Sequence, residues 1–216
     1  MHSRLECNGL TKPEIHTASF IVLKVFKTLF RNMVFTVDWF TGYIPAWKTT
    51  FEKTKIPENI LEIGSFEGRS TCWLLENTKA HITCVDTWEG SDEHTPEHKD
   101  GLFERFRENI EPYKDRVTVR RGFSGEVLRK FECKPTFDFI YIDGSHYSKD
   151  VLEDAILAWR LIQPGGVLIF DDFNWTIEGT ELRDIRNPRA GIETFCNFFK
   201  PRILGVYNQL VIQKDV

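Results

Sequence analysis

The sequence contains no CxxC pair; its five cysteines, Cys7, Cys72, Cys84, Cys133 and Cys196, are odd in number and widely scattered. That arrangement offers neither a disulfide framework nor a zinc cluster, and it fits a reducing compartment such as the cytoplasm. A basic excess is also missing. With 28 Lys and Arg against 32 Asp and Glu the formal charge is −4, so nothing favours nucleic acid as a partner through counterion release. No apolar run reaches the ~20 residues of a membrane span. The most apolar stretch, residues 18–40, is interrupted by Lys24, Lys27 and Arg31. The opening residues are polar, so a cleavable signal peptide is not expected. Internal repeats and low-complexity tracts are absent as well.

What remains is an ordinary globular composition, 41% hydrophobic and 28% charged over 216 residues, enough chain for one sizeable core. Beyond Lys55, short β-rich runs alternate with longer helical patterns. The strand candidates are residues 59–63, 81–85, 117–120, 137–142 and 166–170. The clearest helix covers 149–162, where Val151, Leu152, Ala155, Ile156, Trp159 and Ile162 share one side and Pro164, Gly165 and Gly166 end it. Residues 202–207 and 210–213 flank Asn208 and Gln209 and read as a terminal hairpin. Alternation of this kind predicts an α/β fold. The expected architecture is a Rossmann-like, seven-stranded, mostly parallel sheet with a C-terminal antiparallel hairpin and helices on both faces.

Residues 56–216 form the expected domain, preceded by a helical segment, 1–55, that faces substrate or a second copy. Within that segment Val22, Val25, Phe26, Leu29, Phe30 and Met33 repeat at helical spacing. Such a helix packs on the domain or on a partner subunit, which suggests a homodimer, or it lies in a membrane interface without spanning it. Residues 88–100 are dense in Glu, Asp, His, Gly and Pro and are expected to form a loop placed as a lid. His94 and His98 have the spacing of helical metal ligands, but Pro96 between them argues against a regular helix.

The most informative stretch runs from Ile60 to Ser70, a buried strand entering a glycine turn. A dinucleotide site would carry GxGxxG, because a glycine in the middle lets backbone approach a diphosphate; here Phe66 stands in that place. The P-loop pattern is absent too. A bulky ring is compatible with a nucleoside ligand that lacks a diphosphate, and it disfavours the rival reading of a nicotinamide-dependent oxidoreductase. Asp86 ends the second strand about twenty residues after Gly64, where an acid accepts ribose hydroxyls. Asp143, Asp171 and Asp172 follow the next two central strands, and three carboxylates on one edge call for a hard cation such as Mg²⁺. His146, on the loop after Asp143, is the candidate general base. Trp39, Tyr43 and Trp47, spaced by four, form part of the core, as such stripes more often do, or one aromatic face for a sugar ring.

Together these residues resemble the class I S-adenosylmethionine-dependent methyltransferases, and within them the metal-dependent O-methyltransferases typified by the catechol and caffeoyl-CoA enzymes. The resemblance covers residues 56–216. It implies that Glu62, Gly64, Ser65, Phe66, Gly68, Ser70, Asp86, Thr87, Gly122, Ser124 and Asp143 surround S-adenosylmethionine, with Gly122-Phe123-Ser124 bordering the adenine. It also implies that Asp143, Asp171 and Asp172 hold a divalent cation, since their separation matches the family's. One position departs: those enzymes carry a lysine where this chain has His146. The Asp143-Gly144-Ser145-His146 stretch, with Asp38-Trp39-Phe40, Pro45 and Trp47 upstream, looks more like a bacterial and viral branch that includes sugar O-methyltransferases. The implied reaction is O-methylation of a sugar, glycan or small-molecule hydroxyl, with a phenol as the alternative acceptor.

Overall fold

The structure, a computed structural model, describes residues 33–175 and 185–216. The amphipathic helix expected over residues 22–33 lies, Met33 excepted, outside them, and so does the dimer inference that rests on it. Residues Val34–Val216 form one compact unit.

Strands β1 (Asn59–Ile63), β2 (His81–Asp86), β3 (Val117–Arg121), β4 (Phe137–Ile142), β5 (Ile162–Phe170), β6 (Arg202–Val206) and β7 (Leu210–Gln213) form one seven-stranded sheet in the order β3-β2-β1-β4-β5-β7-β6. The first five run parallel, and β7 pairs antiparallel with both β5 and β6. This is the Rossmann-like, mostly parallel sheet with a C-terminal antiparallel hairpin expected from the alternation. The strand order reverses between β1 and β4. At such a reversal the crossover connections leave to opposite faces and open a crevice beyond the carboxyl ends of the strands.

The helices are α1 (Ile44–Lys53), α2 (Arg69–Asn77), α3 (Pro96–Lys99), α4 (Leu102–Ile110), α5 (Ser124–Leu128), α6 (Ser148–Trp159) and α7 (Pro188–Phe199). Side chains alternate across each strand, so Leu61, Ile63, Ile140, Ile142, Leu168 and Phe170 face one core beneath α6 and α7. Phe139 and Tyr141 face the other way and meet Trp47 of α1, at ring separations of 5.3 and 4.9 Å.

Several details differ from expectation. Helix α6 stops at Trp159, and Ile162 instead opens β5 by pairing with Phe137; Lys214 Nζ donates to the carbonyls of Trp159 and Ile162 at 2.8 and 3.0 Å, satisfying the helix end. Ile156 is exposed rather than part of the buried stripe. Residues 88–100 are not wholly loop, because Pro96 starts the short helix α3. Proline is tolerated there, since the first helical N–H has no partner to lose.

Candidate active site

The turn after β1 is the foundation of the crevice. Gly64 has φ +84°, and a Cβ on it would stand 1.8 Å from the carbonyl oxygen of Asp143. The β1 and β4 loops therefore touch through backbone, which only glycine permits. Phe66, in the position a dinucleotide fold reserves for glycine, takes a left-handed φ of 47°. Behind the turn lies Glu62, 0% exposed. Its carboxylate accepts the hydroxyls of Ser65 at 2.7 Å and Ser70 at 2.6 Å, together with that of Thr71. Burial pushes its carboxyl pKa up, and those hydroxyls pull against that rise. Glu62, Ser65 and Ser70 thus form a polar knot under the turn, with their side chains committed to one another.

Asp86 braces the turn from the β2 side. Its Oδ2 accepts the N–H groups of Ser65 and Phe66 at 2.9 and 2.8 Å, and its Oδ1 accepts that of Trp88 at 2.7 Å. A carboxylate has about four acceptor sites, so one on Oδ1 is left for a ligand. Gly122 donates to the Asp86 carbonyl at 2.8 Å, and the Thr87 carbonyl accepts from Arg121 Nε at 3.0 Å. The β3 loop, with Ser124 opening α5, is thereby fixed beside the β2 loop.

Across the reversal lie the acids. The Tyr141 hydroxyl sits 2.9 Å from Asp143 Oδ2 and hydrogen-bonds Asp171 Oδ2 as well. Gln209 Nε2 donates to Asp171 Oδ2 at 3.0 Å. Burial, then repulsion by Asp171 and Asp172, holds the Asp143 carboxyl well above the usual range; burial, then Asp172, lifts Asp171 to about 6. Asp172 turns away with a left-handed φ of 55°, and its Oδ2 meets His146 Nε2 at 2.7 Å. The other ring nitrogen, Nδ1, lies 2.8 Å from Glu93 Oε2 of the 88–100 loop. Burial lowers the pKa of this imidazole, but Asp172 and then Glu93 outweigh it and raise the value above the ordinary one. Arg186, 5% exposed, ties the same loop down by pairing with Asp92 and by lying 3.4 Å from Glu93 Oε1.

The sequence places Asp143, Asp171, Asp172 and His146 on one edge, and the structure brings them to one shallow cavity. Within it the Tyr141 hydroxyl lies between Asp143 and Asp171, and Asp172 is paired with His146. Among the described residues no group of three or more His, Cys, Asp or Glu side chains is arranged to hold a metal ion. The donor set does not fit a divalent cage as it stands, because Tyr141 lies between two of the acids and His146 engages the third. The aromatic face also separates: Trp47 is 0% exposed in the core and Trp39 is 59% exposed, while Tyr43 accepts a hydrogen bond from Asn208 at 2.6 Å. Residues 41–43 form a 3-10 turn, so the three rings do not share a helix. Trp39 instead joins Phe66 and His94, at 5.5 and 5.7 Å between ring centroids.

Sequence reasoning misses Tyr141, Gln209 and Glu93. Tyr141 carries a readable signal: it precedes Asp143 by two residues on a strand, so the two share a face. Gln209 could be found only from the β5–β7 register, where Phe170 faces Leu210 and the next pair brings Asp171 to Gln209.

A strand-order reversal above an acid-braced glycine turn marks an α/β domain that takes its ligand beyond the carboxyl ends of the strands. The chain belongs to the methyltransferase-domain family: a family model described as "Methyltransferase domain" matches residues 61–173. It is 32% identical over 130 residues to O-methyltransferase hkm8 of Aspergillus hancockii, covering 59% of this chain and 47% of that protein. It is 27% identical over 128 residues to protein R132 of Acanthamoeba polyphaga mimivirus, covering 57% and 54%. The chain thus spans about half the length of the curated relatives it matches. Among solved structures, the O-methyltransferase from Bacillus cereus in complex with SAH superposes with a TM-score of 0.58 at 25% identity, covering 94% of this chain and 92% of that one.

Proposed function

We propose that this chain transfers a methyl group from S-adenosylmethionine to a hydroxyl oxygen of a sugar, a glycan or a small molecule. The observation that carries the reading is the pairing, across one strand reversal, of the Asp86-braced Gly64 turn with the Asp172–His146 contact. The first suits a nucleoside and the second suits a proton transfer. Bound at this edge, S-adenosylmethionine supplies a methyl already activated by a sulfonium.

Asp86 offers its remaining Oδ1 site to a ribose hydroxyl, and Gly122 and Ser124 border the base. The acceptor hydroxyl takes Glu93's place at His146 Nδ1 while Asp172 keeps Nε2. As the carbon–sulfur bond breaks and the carbon–oxygen bond forms, the hydroxyl proton passes to the neutral imidazole. Asp172 then stabilises the imidazolium, as a carboxylate does in other base–orienter pairs. The mechanism routes no step through a divalent ion, because the aspartates do not form a cage for one.

Trp39 supports a ring-bearing acceptor: it is exposed beside Phe66 and His94 at the mouth of the crevice, and aromatic faces stack on sugars and phenols alike. Residues 34–55 would then be the acceptor-facing part of the chain. Incubation with methyl-labelled S-adenosylmethionine and a panel of glycans and phenols tests the proposal. Label should appear in an oxygen-linked methyl of a glycan. Label in a phenol would reassign the acceptor, and absence of S-adenosylhomocysteine binding by calorimetry would remove the reading altogether.

A further inference from the structure

We propose that the Tyr141 hydroxyl fills the position between Asp143 and Asp171 that the resemblance assigns to a divalent cation, so that this acidic edge is held together by hydrogen bonds and takes no Mg²⁺. The inference rests on the methyl-transfer reading of the crevice and narrows it to a metal-independent site.

Consider the oxygen atoms a cation would need. Mg²⁺ demands near-octahedral oxygen donors at about 2.1 Å, with lone pairs free to point at it. Asp171 Oδ2 already takes the Tyr141 hydroxyl and Gln209 Nε2, and its Oδ1 takes the N–H of Asp172 at 2.7 Å. Asp143 Oδ2 faces the same phenol at 2.9 Å. Asp172 Oδ2 is held by His146 Nε2 at 2.7 Å. The phenol oxygen therefore stands between Asp143 and Asp171, where their Oδ2 lone pairs would have to converge on a cation, and the third acid is engaged by His146.

Nor can the phenol easily withdraw. Tyr141 is 1% exposed, and its ring meets Trp47 edge-on at 4.9 Å and 82°. Trp47 Nε1 donates to Gln209 Oε1 at 2.8 Å. An indole N–H only donates, so the amide oxygen must face Trp47 and the amide NH₂ must face Asp171. One buried tryptophan thus sets both donors on the acid pair. Tyr141 is a positioning residue here: strand alternation puts its hydroxyl on the Asp143 face, and a phenylalanine in its place would keep the packing while leaving the carboxylates without their bridge.

The test titrates Mn²⁺ into the full chain, with and without saturating S-adenosylhomocysteine, and reads free aquo-Mn²⁺ by electron paramagnetic resonance. Wild type should leave that signal unchanged at millimolar Mn²⁺. Tyr141→Phe should bind one Mn²⁺ at least about tenfold more tightly, a difference of ~1.4 kcal/mol, and a second change, Asp143→Asn, should abolish the gain. Stoichiometric Mn²⁺ binding by wild type that Asp143→Asn removes would overturn the proposal, whatever Tyr141→Phe does. So would a folded Tyr141→Phe that still fails to bind. Calorimetry with S-adenosylhomocysteine on the same samples separates the two levels: if it does not bind, the cofactor reading fails, and the Mn²⁺ result still decides the cation question.

Discussion

At the scale of single residues, His146 carries the sharpest consequence. Both of its nitrogens face carboxylates, so its charged form is favoured and its pKa lies above the ordinary value. A general base must be neutral to accept a proton. Activity should therefore fall as pH drops through a limb lying above the ~6.5 of free imidazole. Glu93→Gln removes one of the two acids and should move that limb down by roughly one pH unit. Asp172→Asn should instead cost turnover, since the imidazolium formed in the reaction would lose its stabilising partner. The check is a pH profile of kcat/KM for wild type and both variants. If the limb stays put in Glu93→Gln, the base is another group.

At the scale of elements, the decisive unit is the contact between the loops after β1 and β4. Gly64→Ala would drive a Cβ into the Asp143 carbonyl, at 1.8 Å in the unrelaxed geometry. Backbone cannot step aside as a flexible side chain can. Overpacking costs of ~1–3 kcal/mol and a left-handed penalty of ~1–2 kcal/mol apply together, and the loops must separate. Thermal and urea melts should show a loss of that size, with S-adenosylhomocysteine affinity falling in parallel. A variant as stable as wild type would mean that the two loops do not meet as described.

These elements also show how far sequence reading reaches. The strands are legible because they are short apolar runs between turns, and β1 and β4 lie where those runs place them, to the residue. The end of α6 is not legible, since Ile162 leaves the helix for a pairing with Phe137 that no local pattern encodes. At the site, alternation along β4 and β5 is enough to put Asp143 and Asp171 on one face and to send Asp172 to the other. The Glu93 contact depends on how the 88–100 loop folds back, and the Trp47–Gln209 contact joins an early helix to the last hairpin. Both are long-range pairings set by packing, beyond what spacing can show.

For the molecule as a whole, buried acids and His146 make stability and activity pull in opposite directions with pH. Asp154 on α6 is 1% exposed, and its Oδ2 has no hydrogen-bond partner. Burial, against a partly compensating bond from Ser124, lifts its carboxyl to about 7 from an ordinary 3.8. An acid whose pKa is raised on folding binds its proton more tightly in the native state. Its contribution is fully present below the unfolded pKa and is lost as pH rises through the folded one, between about 4 and 7 here. Every tenfold gain in proton affinity on folding is worth ~1.4 kcal/mol, so this residue alone makes the fold on the order of several kcal/mol less stable above its folded pKa than below its unfolded one. Asp143 and Asp171 add to it in the same direction. His146, also raised, contributes stability below its unfolded pKa that is lost above its folded one. All of these slopes run downward from mildly acid to alkaline pH, while the proposed base gains competence over the upper part of that range. Asp154→Asn keeps the shape and removes the titration, so its thermal midpoint should fall much less than that of wild type between about pH 5.5 and 8, the span that brackets the raised carboxyl. If both proteins follow the same curve, Asp154 keeps its proton, or its charge, throughout, and the opposing pH dependence must come from the acids and the imidazole at the crevice alone.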